Sequence, residues 1–309
     1  MNNKRIAVMD LGTNTFHLLI AEGPADNFTE ILHLNEDVKL GKGGINKGII
    51  QPEAFERGIA AMKRFRSYID VNSVTDIRAI ATSAIRSAAN GQDFIRKVKE
   101  QAHIDIELIT GEQEAAYIYE GINASGCLTD DNALIMDIGG GSVEFIIGNT
   151  DEVLWKQSFE IGAARLMDKF HQTDPVPVQA IKELTQYLNS KLPELFLAAS
   201  KYKPAILIGS SGAFESFAEV IELEKGKNFN LKQTKVYNFD IDELLDLIER
   251  LIKSSHSQRA KIKGIIPVRV DMIVVASLIT IYMMQKMGIA DVTMSTYSLK
   301  EGVLAQMLS

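Results

Sequence analysis

Cysteine is almost absent from this sequence of 309 residues. The one cysteine, Cys127, excludes an internal disulfide and any metal site built from several thiolates. Long apolar runs are also missing. The longest mostly apolar run, 272–284, is too short to span a bilayer, and the N-terminus reaches Asp10 too soon for a secretory signal. We therefore expect a soluble, cytoplasmic protein that is not bound to a membrane.

Positive charge is scarce as well. Lys and Arg total 33 against 40 Asp and Glu, a formal net charge of −7. This balance argues against a broad surface for nucleic acid, but it leaves room for a polyanionic substrate in a local pocket. The content of 46% hydrophobic and 24% charged residues is typical of globular proteins, and the length predicts two domains. The sequence leaves open whether the protein forms a homodimer.

Hydrophobic patterning predicts similar series of elements in the two halves. The first half contains the strands 6–9, 16–22, 28–36, 77–81 and 104–109, and the helices 53–70, 92–101 and one from Gly111. The second half contains the strands 133–137, 143–148, 153–161, 205–209 and 291–295, and the helices 178–197, 241–252, 270–287 and 298–308. A glycine-rich stretch, 40–48, is predicted to be a mobile loop.

Two pairs of similar loops indicate an internal duplication. The segment 10–15 (DLGTNT) resembles 137–142 (DIGGGS), and each lies between two predicted strands. A second small-residue turn follows 72 residues after each aspartate, at Thr82 and at Gly209. We therefore expect two copies of one α/β domain with a cleft between them. The first copy would span 1–126, completed by a C-terminal helix within 296–309, and the second would span 127–295.

The turns after the first strand of each copy have the composition of phosphate-binding loops. Small residues leave successive backbone N–H groups accessible to anionic oxygens. These candidates are Gly12, Thr13 and Asn14 in the first copy and Gly139, Gly140, Gly141 and Ser142 in the second. Two ordinary tight hairpins would have a similar composition.

Carboxylates next to these turns point to a bound cation. Asp10 and Asp137 would repel phosphate unless a cation such as Mg²⁺ lay between them and the phosphate oxygens. Glu144 is predicted to lie on the same strand face as Ser142, where it could hold a metal-bound water or orient a nucleophile. A cross-strand ion pair would explain Glu144 equally well.

The second pair of loops offers hydroxyls and one cation. Thr82, Ser83 and Arg86 follow a strand of the first copy, and a guanidinium there could neutralise phosphate charge. The alternative for Arg86 is a surface salt bridge. The counterpart loop, with Gly209, Ser210 and Ser211, has no cation in its sequence.

The remaining candidate functional residues lie at the start of one predicted helix and in two segments that contain basic residues. Thr110 and Gln113 form a capping-box pattern, which places Glu114 in the first turn of a helix. Glu114 could accept a proton from water, or it could only complement the helix dipole. Arg269 and Asp271 would form a local ion pair or bind ligand. The three lysines that flank the glycine-rich loop could form a basic track or remain solvated: Lys39, Lys42 and Lys47.

These motifs together resemble the exopolyphosphatase/guanosine pentaphosphate phosphohydrolase family over nearly the whole chain. The matching stretches are IAVMDLGTNTFHLLIAEG, ATSAIRSA, ITGEQEAAYIYEG, LIMDIGGGSVEFIIG, IGSSGAFES and YSLKEGVL. The resemblance implies two actin-like (ribonuclease-H-like) domains and Mg²⁺-dependent release of terminal phosphate from inorganic polyphosphate or guanosine pentaphosphate. It also implies that Glu114 activates water. Residues that would contact phosphate or metal are Asp10, Asn14, Arg86, Asp137, Gly139, Gly140, Ser142 and Glu144.

Two departures from the family pattern limit what the resemblance implies. Ala116 stands where the family commonly has Arg, which leaves substrate affinity or chain-length preference undetermined. The larger members also append a helical C-terminal region that this sequence lacks, so processivity on long chains is not implied. Two alternative functions stay open: an ATP-dependent kinase of the same superfamily, and a non-catalytic sensor of guanosine penta- or tetraphosphate.

Overall fold

The computed structural model describes residues 4–25 and 27–308. The chain forms two compact units. Unit 1 comprises Met1–Ala124 together with Leu299–Ser309, and unit 2 comprises Ser125–Ser298. Among the described residues, no helix combines the length and the apolar character needed to cross a membrane.

Unit 1 is built on a five-stranded sheet. Its strands are β1 (Arg5–Leu11), β2 (Phe16–Glu22), β3 (Thr29–Glu36), β4 (Asp76–Ala81) and β5 (Ile106–Leu108). Their order in the sheet is β3-β2-β1-β4-β5. The first three strands pair as antiparallel hairpins, and β1, β4 and β5 pair in parallel. Buried residues such as Ile6, Leu18 and Ile80 give β1, β2 and β4 their apolar character.

Helices cover this sheet. They are α1 (Pro52–Val71), α2 (Ser83–Arg86), α3 (Gly91–Ala102), α4 (Gly111–Ser125) and α12 (Leu299–Leu308). Helix α1 packs on α3, and α12 packs on β1. The capping box predicted for α4 is confirmed, because Gln113 Oε1 accepts from Thr110 N at 2.8 Å and Gln113 N donates to Thr110 Oγ1 at 3.2 Å.

Unit 2 is built on a six-stranded sheet. Its strands are β6 (Ala133–Ile138), β7 (Val143–Gly148), β8 (Val153–Phe159), β9 (Ile206–Ser210), β10 (Val236–Asn238) and β11 (Asp291–Ser295). Their order is β10-β11-β9-β6-β7-β8. Strands β6, β7 and β8 form antiparallel hairpins, and β9 runs parallel to both β6 and β11.

Seven helices of unit 2 surround this sheet. They are α5 (Ala163–Phe170), α6 (Val178–Lys191), α7 (Pro193–Tyr202), α8 (Gly212–Glu224), α9 (Ile241–Lys253), α10 (His256–Arg259) and α11 (Met272–Met287). Helix α11 is apolar on nearly all sides because it is buried in the core of the unit, where it packs against α5, α8 and α9.

The two sheets share one topology. The strands β3-β2-β1-β4-β5 of unit 1 correspond in order and direction to β8-β7-β6-β9-β11 of unit 2. Strand β10 is an additional strand at the edge of the sheet of unit 2. The prediction of a duplicated, actin-like α/β domain is thereby confirmed. Elements differ in detail: the predicted helix 178–197 is two helices, broken at Leu192 before Pro193. Helices α5 and α8 and strand β10 were not predicted.

Candidate active site

Equivalent turns join β1 to β2 in unit 1 and β6 to β7 in unit 2. Gly12 and Gly139 each lie two residues after the aspartate of the preceding strand, Asp10 or Asp137. A Cβ would lie 2.9 Å from the carbonyl oxygen of Thr15 at Gly12 and 3.0 Å from that of Ser142 at Gly139. The tightness of both turns therefore favours glycine at this position.

The turn of unit 2 is held from behind by the start of α5. Gly139 O accepts from Ala163 N and Gly140 O from Ala164 N, both at 2.9 Å, and Gly141 O accepts from Gly162 N at 3.2 Å. In a trans peptide the N–H points opposite to the C=O. The N–H groups of residues 140, 141 and 142 are therefore directed away from α5, in the arrangement of an anion-binding nest.

The turn of unit 1 is held in a corresponding way by the segment after β3. Thr13 O accepts from Gly41 N at 3.0 Å, and Asn14 O accepts from Lys39 N at 2.7 Å. The N–H groups of residues 14 and 15 consequently point away from this segment. The glycine-rich loop 40–48 thus contacts the turn directly, and its residues Leu40, Gly41, Gly44 and Ile45 are buried.

Hydroxyls of the second loops bond to the first turns. Thr82 Oγ1 donates to Leu11 O at 3.4 Å in unit 1, and Ser211 Oγ donates to Ile138 O at 3.1 Å in unit 2. Each acceptor directly follows the aspartate of its unit. Thr82 therefore corresponds to Ser211, whereas Gly209 lies within β9, next to the buried Ser210. Ser83, the first residue of α2, is also buried.

Glu114 and Arg86 form a partly buried ion pair in unit 1. Arg86 Nη1 donates to Glu114 Oε2 at 2.8 Å and to Ile109 O at 3.2 Å. The exposed fractions of the two side chains are 20% for Arg86 and 9% for Glu114. Arg86 is therefore not a solvated surface cation. Its guanidinium holds the Glu114 carboxylate in place through this ion pair.

A row of four polar side chains crosses the sheet of unit 2. Asp137 on β6 pairs in register with Ser210 on β9 and with Glu144 on β7, and Glu144 pairs with Ser158 on β8. Residues directly opposite one another point to the same sheet face, so these side chains are neighbours. Asp137 and Glu144 are buried, with exposed fractions of 6% and 1%, so two neighbouring carboxylates lie where little water can reach them.

The corresponding row of unit 1 has different chemistry. Asp10 on β1 pairs in register with Ile80 on β4 and with His17 on β2, and His17 pairs with Asn35 on β3. His17 Nδ1 and Asn35 Oδ1 are hydrogen-bonded at 2.7 Å. Where unit 2 has a second carboxylate beside its aspartate, unit 1 has an imidazole.

Comparisons with known proteins show the family of the chain. The family model described as the Ppx/GppA phosphatase family matches residues 19–309. The chain belongs to the Ppx/GppA phosphatase family. A crystal structure of an exopolyphosphatase from Cytophaga hutchinsonii is 41% identical and superposes with a TM-score of 0.96 over 99% of this chain and 98% of that one.

Two further Ppx/GppA relatives differ in what they show. A bifunctional 3-dehydroquinate synthase/phosphatase of Fusobacterium nucleatum is 32% identical over 90% of this chain, but this match covers only 43% of that protein. The crystal structure of the Aquifex aeolicus member of the Ppx/GppA family is 24% identical, with a TM-score of 0.80 over 99% of this chain and 97% of that one. At that identity it shows a shared fold only.

The donor set of this Ppx/GppA chain is compatible with a hydrated Mg²⁺. The described residues contain no group of three or more His, Cys, Asp or Glu side chains that could hold a metal ion. However, Mg²⁺ at phosphate sites keeps several waters and uses one or two carboxylates together with phosphate oxygens. The adjoining carboxylates of Asp137 and Glu144 fit this requirement.

Two residues near the loops, Ser298 and Arg165, were not assigned to the site from sequence, and Arg269 was considered only as an ion-pair partner of Asp271 or a ligand. Ser298 Oγ donates to Asp137 Oδ2, and Arg165 Nε donates to Gly141 O at 3.1 Å. The guanidinium of Arg269 lies against Gly212, where a Cβ would be 2.2 Å from its Cζ. The spacing of the motifs gave no signal for these contacts, because each joins segments more than 20 residues apart.

The contacts of Arg269 correct one of the two alternatives that the sequence left open for it. Arg269 bonds to Glu215 at 3.0 Å and to Ser216 at 3.2 Å, whereas Asp271 bonds to Arg259 at 3.2 Å and to His256 at 2.6 Å. The predicted local pair of Arg269 with Asp271 is therefore wrong. The loop of unit 2 also has a cation beside it, which its own sequence lacks. The lysines at 39, 42 and 47 are exposed.

Proposed function

We propose that this protein is a Mg²⁺-dependent phosphoanhydride hydrolase that releases terminal phosphate from inorganic polyphosphate. The observation that carries the proposal is the fixing of both glycine turns from behind, which directs successive amides outward. Such amides suit the closely spaced anionic oxygens of a phosphate chain. Membership of the Ppx/GppA family and the 41% identity to an exopolyphosphatase support this substrate class.

The chain's own residues supply the parts that phosphoryl transfer requires, namely positioning and charge neutralisation. Glu114 would orient a water molecule and accept its proton on a carboxylate oxygen as the water attacks the terminal phosphorus. The bridging P–O bond would break at the same centre, so that the shortened polyphosphate chain leaves with the bridging oxygen. The amides of the turns that contain Asn14 and Gly140 would bind the nonbridging oxygens, with the hydroxyls of Thr82 and Ser211 bracing those turns.

Cations would offset the remaining substrate charge. Arg86 would bind the phosphate being cleaved while it holds Glu114, and Arg269 would add positive charge beside Ser211. Asp137 and Glu144 would hold Mg²⁺ in unit 2, and Asp10 is the corresponding candidate oxygen ligand of unit 1. When bound, this ion would neutralise charge on phosphate oxygens.

Guanosine pentaphosphate is the second candidate substrate, because it ends in the same phosphoanhydride and the family resemblance includes it. A kinase would need an acceptor hydroxyl and ATP, and a sensor would bind without turnover. The sensor alternative depends on Ala116, which stands where the family commonly has Arg.

A phosphate-release assay distinguishes these functions. Purified protein is incubated with polyphosphates of several lengths, guanosine pentaphosphate or ATP, with Mg²⁺ or with EDTA. We expect phosphate release from polyphosphate in Mg²⁺ and none after chelation. Tight guanosine pentaphosphate binding without release would favour the sensor, and ATP-dependent phosphorylation of a metabolite without polyphosphate hydrolysis would favour the kinase.

A further inference from the structure

Two serine hydroxyls each bond to one of the adjoining carboxylates of unit 2. Ser158 Oγ donates to Glu144 Oε1 at 2.6 Å, and Ser298 Oγ donates to Asp137 Oδ2. Ser158 lies on β8 as the register partner of Glu144, whereas Ser298 directly precedes α12. Two unrelated segments therefore bring the same kind of donor to neighbouring carboxylates.

These bonds differ from those of the other nearby hydroxyls. The hydroxyls of Ser210 and Ser295 both donate to the backbone oxygen of Tyr297, and that of Ser211 donates to Ile138 O. Those three stabilise the backbone. Only a donor to the carboxylate itself can restrict the rotation of its oxygens, and Ser158 and Ser298 are so placed.

The sheet of unit 1 repeats this arrangement with other residues. Asn35 occupies the position in the row of unit 1 that Ser158 occupies in unit 2, and it bonds to His17 as Ser158 bonds to Glu144. In both units, therefore, the outer residue of the row orients the side chain next to the aspartate. The two copies therefore share this hydrogen bond from the outer residue of the row, although the side chain that it orients is an imidazole in unit 1 and a carboxylate in unit 2.

We propose that Ser158 and Ser298 are positioning residues that orient Glu144 and Asp137 for a divalent cation and so determine its affinity. The proposal rests on the proposed function in one respect, the assignment of these carboxylates to the metal. Partners of metal ligands fix ligand geometry, and their loss commonly costs about 10- to 100-fold in metal affinity. Burial strengthens this dependence at Glu144, because little water can replace a lost hydroxyl.

The test measures binding of Mn²⁺ alone to the full-length protein by electron paramagnetic resonance, with Mg²⁺ as competitor. Ser158→Ala and Ser298→Ala should each weaken the Kd for Mn²⁺ by about 10- to 100-fold. Because the defect is one of affinity, kcat should return toward the wild-type value at saturating Mg²⁺. Ser158→Thr and Ser298→Thr retain a hydroxyl and should bind Mn²⁺ nearly as the wild type does.

A matched control is Thr296→Ala. The Thr296 hydroxyl lies two residues before Ser298 but donates to Thr234 O at 2.8 Å, so its loss should leave the Kd unchanged. Asp137→Asn tests the metal assignment separately. If Asp137→Asn weakens Mn²⁺ binding but both serine-to-alanine variants match Thr296→Ala, the serine proposal alone is overturned. If Asp137→Asn binds like the wild type, the metal assignment and the serine proposal both fail. Loss of affinity in the threonine variants would also contradict the positioning role.

Discussion

The ion pair of Arg86 and Glu114 joins two residues to which the sequence assigns separate roles. The motifs predict Arg86 as a phosphate ligand and Glu114 as the base, but residues 28 positions apart give no sign that they touch. In the structure one guanidinium nitrogen bonds both to the carboxylate and to Ile109 O. Arg86 therefore orients Glu114, the proposed base, in addition to any contact with substrate.

This pairing predicts a coupled loss of activity. We expect Arg86→Ala to lower kcat/KM by about 100-fold or more, and Arg86→Lys to be intermediate because it keeps the charge but loses the planar fork. Combined with Glu114→Gln, Arg86→Ala should cause a smaller further loss than it causes alone, since part of its effect acts through Glu114. Steady-state kinetics of the four proteins in the cycle give the coupling. Fully multiplicative losses would show that Arg86 acts independently of Glu114.

At the scale of elements, the sequence predicts best those features that depend on neighbouring residues. The capping box of α4 and the apolar α11 were predicted because each is encoded locally. The short helix α5 was not predicted because its eight residues closely follow a strand. The break before Pro193 was not predicted because the apolar pattern continues across it. The role of α5 in holding Gly139 and Gly140 depends on tertiary contacts and could not be predicted.

Helices α4 and α12 approach so closely that Gly302 is required between them. A Cβ at Gly302 would lie 1.9 Å from Tyr117 O and 2.9 Å from Gly121 N. Because backbone atoms of a helix cannot move aside cheaply, Gly302→Ala should destabilise unit 1 by about 1–3 kcal/mol. Hydrogen exchange measured by mass spectrometry should show faster exchange in α4 and β1, with unit 2 unaffected. Wild-type exchange and an unchanged melting temperature would contradict this packing.

Helix α8 and strand β10 are joined by a buried carboxylate. Burial alone would raise the pKa of Glu222, but hydrogen bonds from Tyr237, Lys227 and Lys225 lower the pKa to about 2. The folded state therefore favours ionised Glu222. Its contribution to stability is complete above the unfolded pKa of about 4.3 and is lost as the pH falls toward 2.

We expect Glu222→Gln to lower the free energy of unfolding by about 1–3 kcal/mol at pH 6. The difference from wild type should shrink between pH 4.3 and pH 2, because the wild-type carboxylate becomes protonated there. Chemical denaturation of both proteins at pH 6, 4 and 3 measures this difference in the free energy of unfolding. Glu224→Gln is the control on the same helix: Glu224 is 45% exposed in its pair with Arg250 and should change stability by less than about 1 kcal/mol. A difference at Glu222 independent of pH would refute the ionic contribution.

At the scale of the whole molecule, the duplication could be predicted from sequence but its residue correspondence could not. The equal spacing of 72 residues pairs Thr82 with Gly209, whereas the hydrogen bonds to Leu11 and Ile138 pair Thr82 with Ser211. Strand register also departs from the equal spacing, because Asp10 pairs with Ile80, 70 residues later, and Asp137 with Ser210, 73 residues later. The motifs thus indicate the repeat, but equal spacing along the sequence does not show which residues are equivalent.

The duplicated fold gives two candidate phosphate-binding turns. Among the described residues, however, the candidate base lies in unit 1 and the pair of adjoining carboxylates lies in unit 2. We therefore propose that Glu114 of unit 1 performs general-base catalysis on a phosphoanhydride. The most direct measurement compares phosphate release from polyphosphate by the wild type and Glu114→Gln in saturating Mg²⁺, with polyphosphate binding determined in parallel. A general base commonly contributes about 10²–10⁴-fold. We predict a loss of kcat in that range with a nearly unchanged Kd for polyphosphate, and a loss of kcat below about tenfold would contradict the assignment of Glu114 as the base.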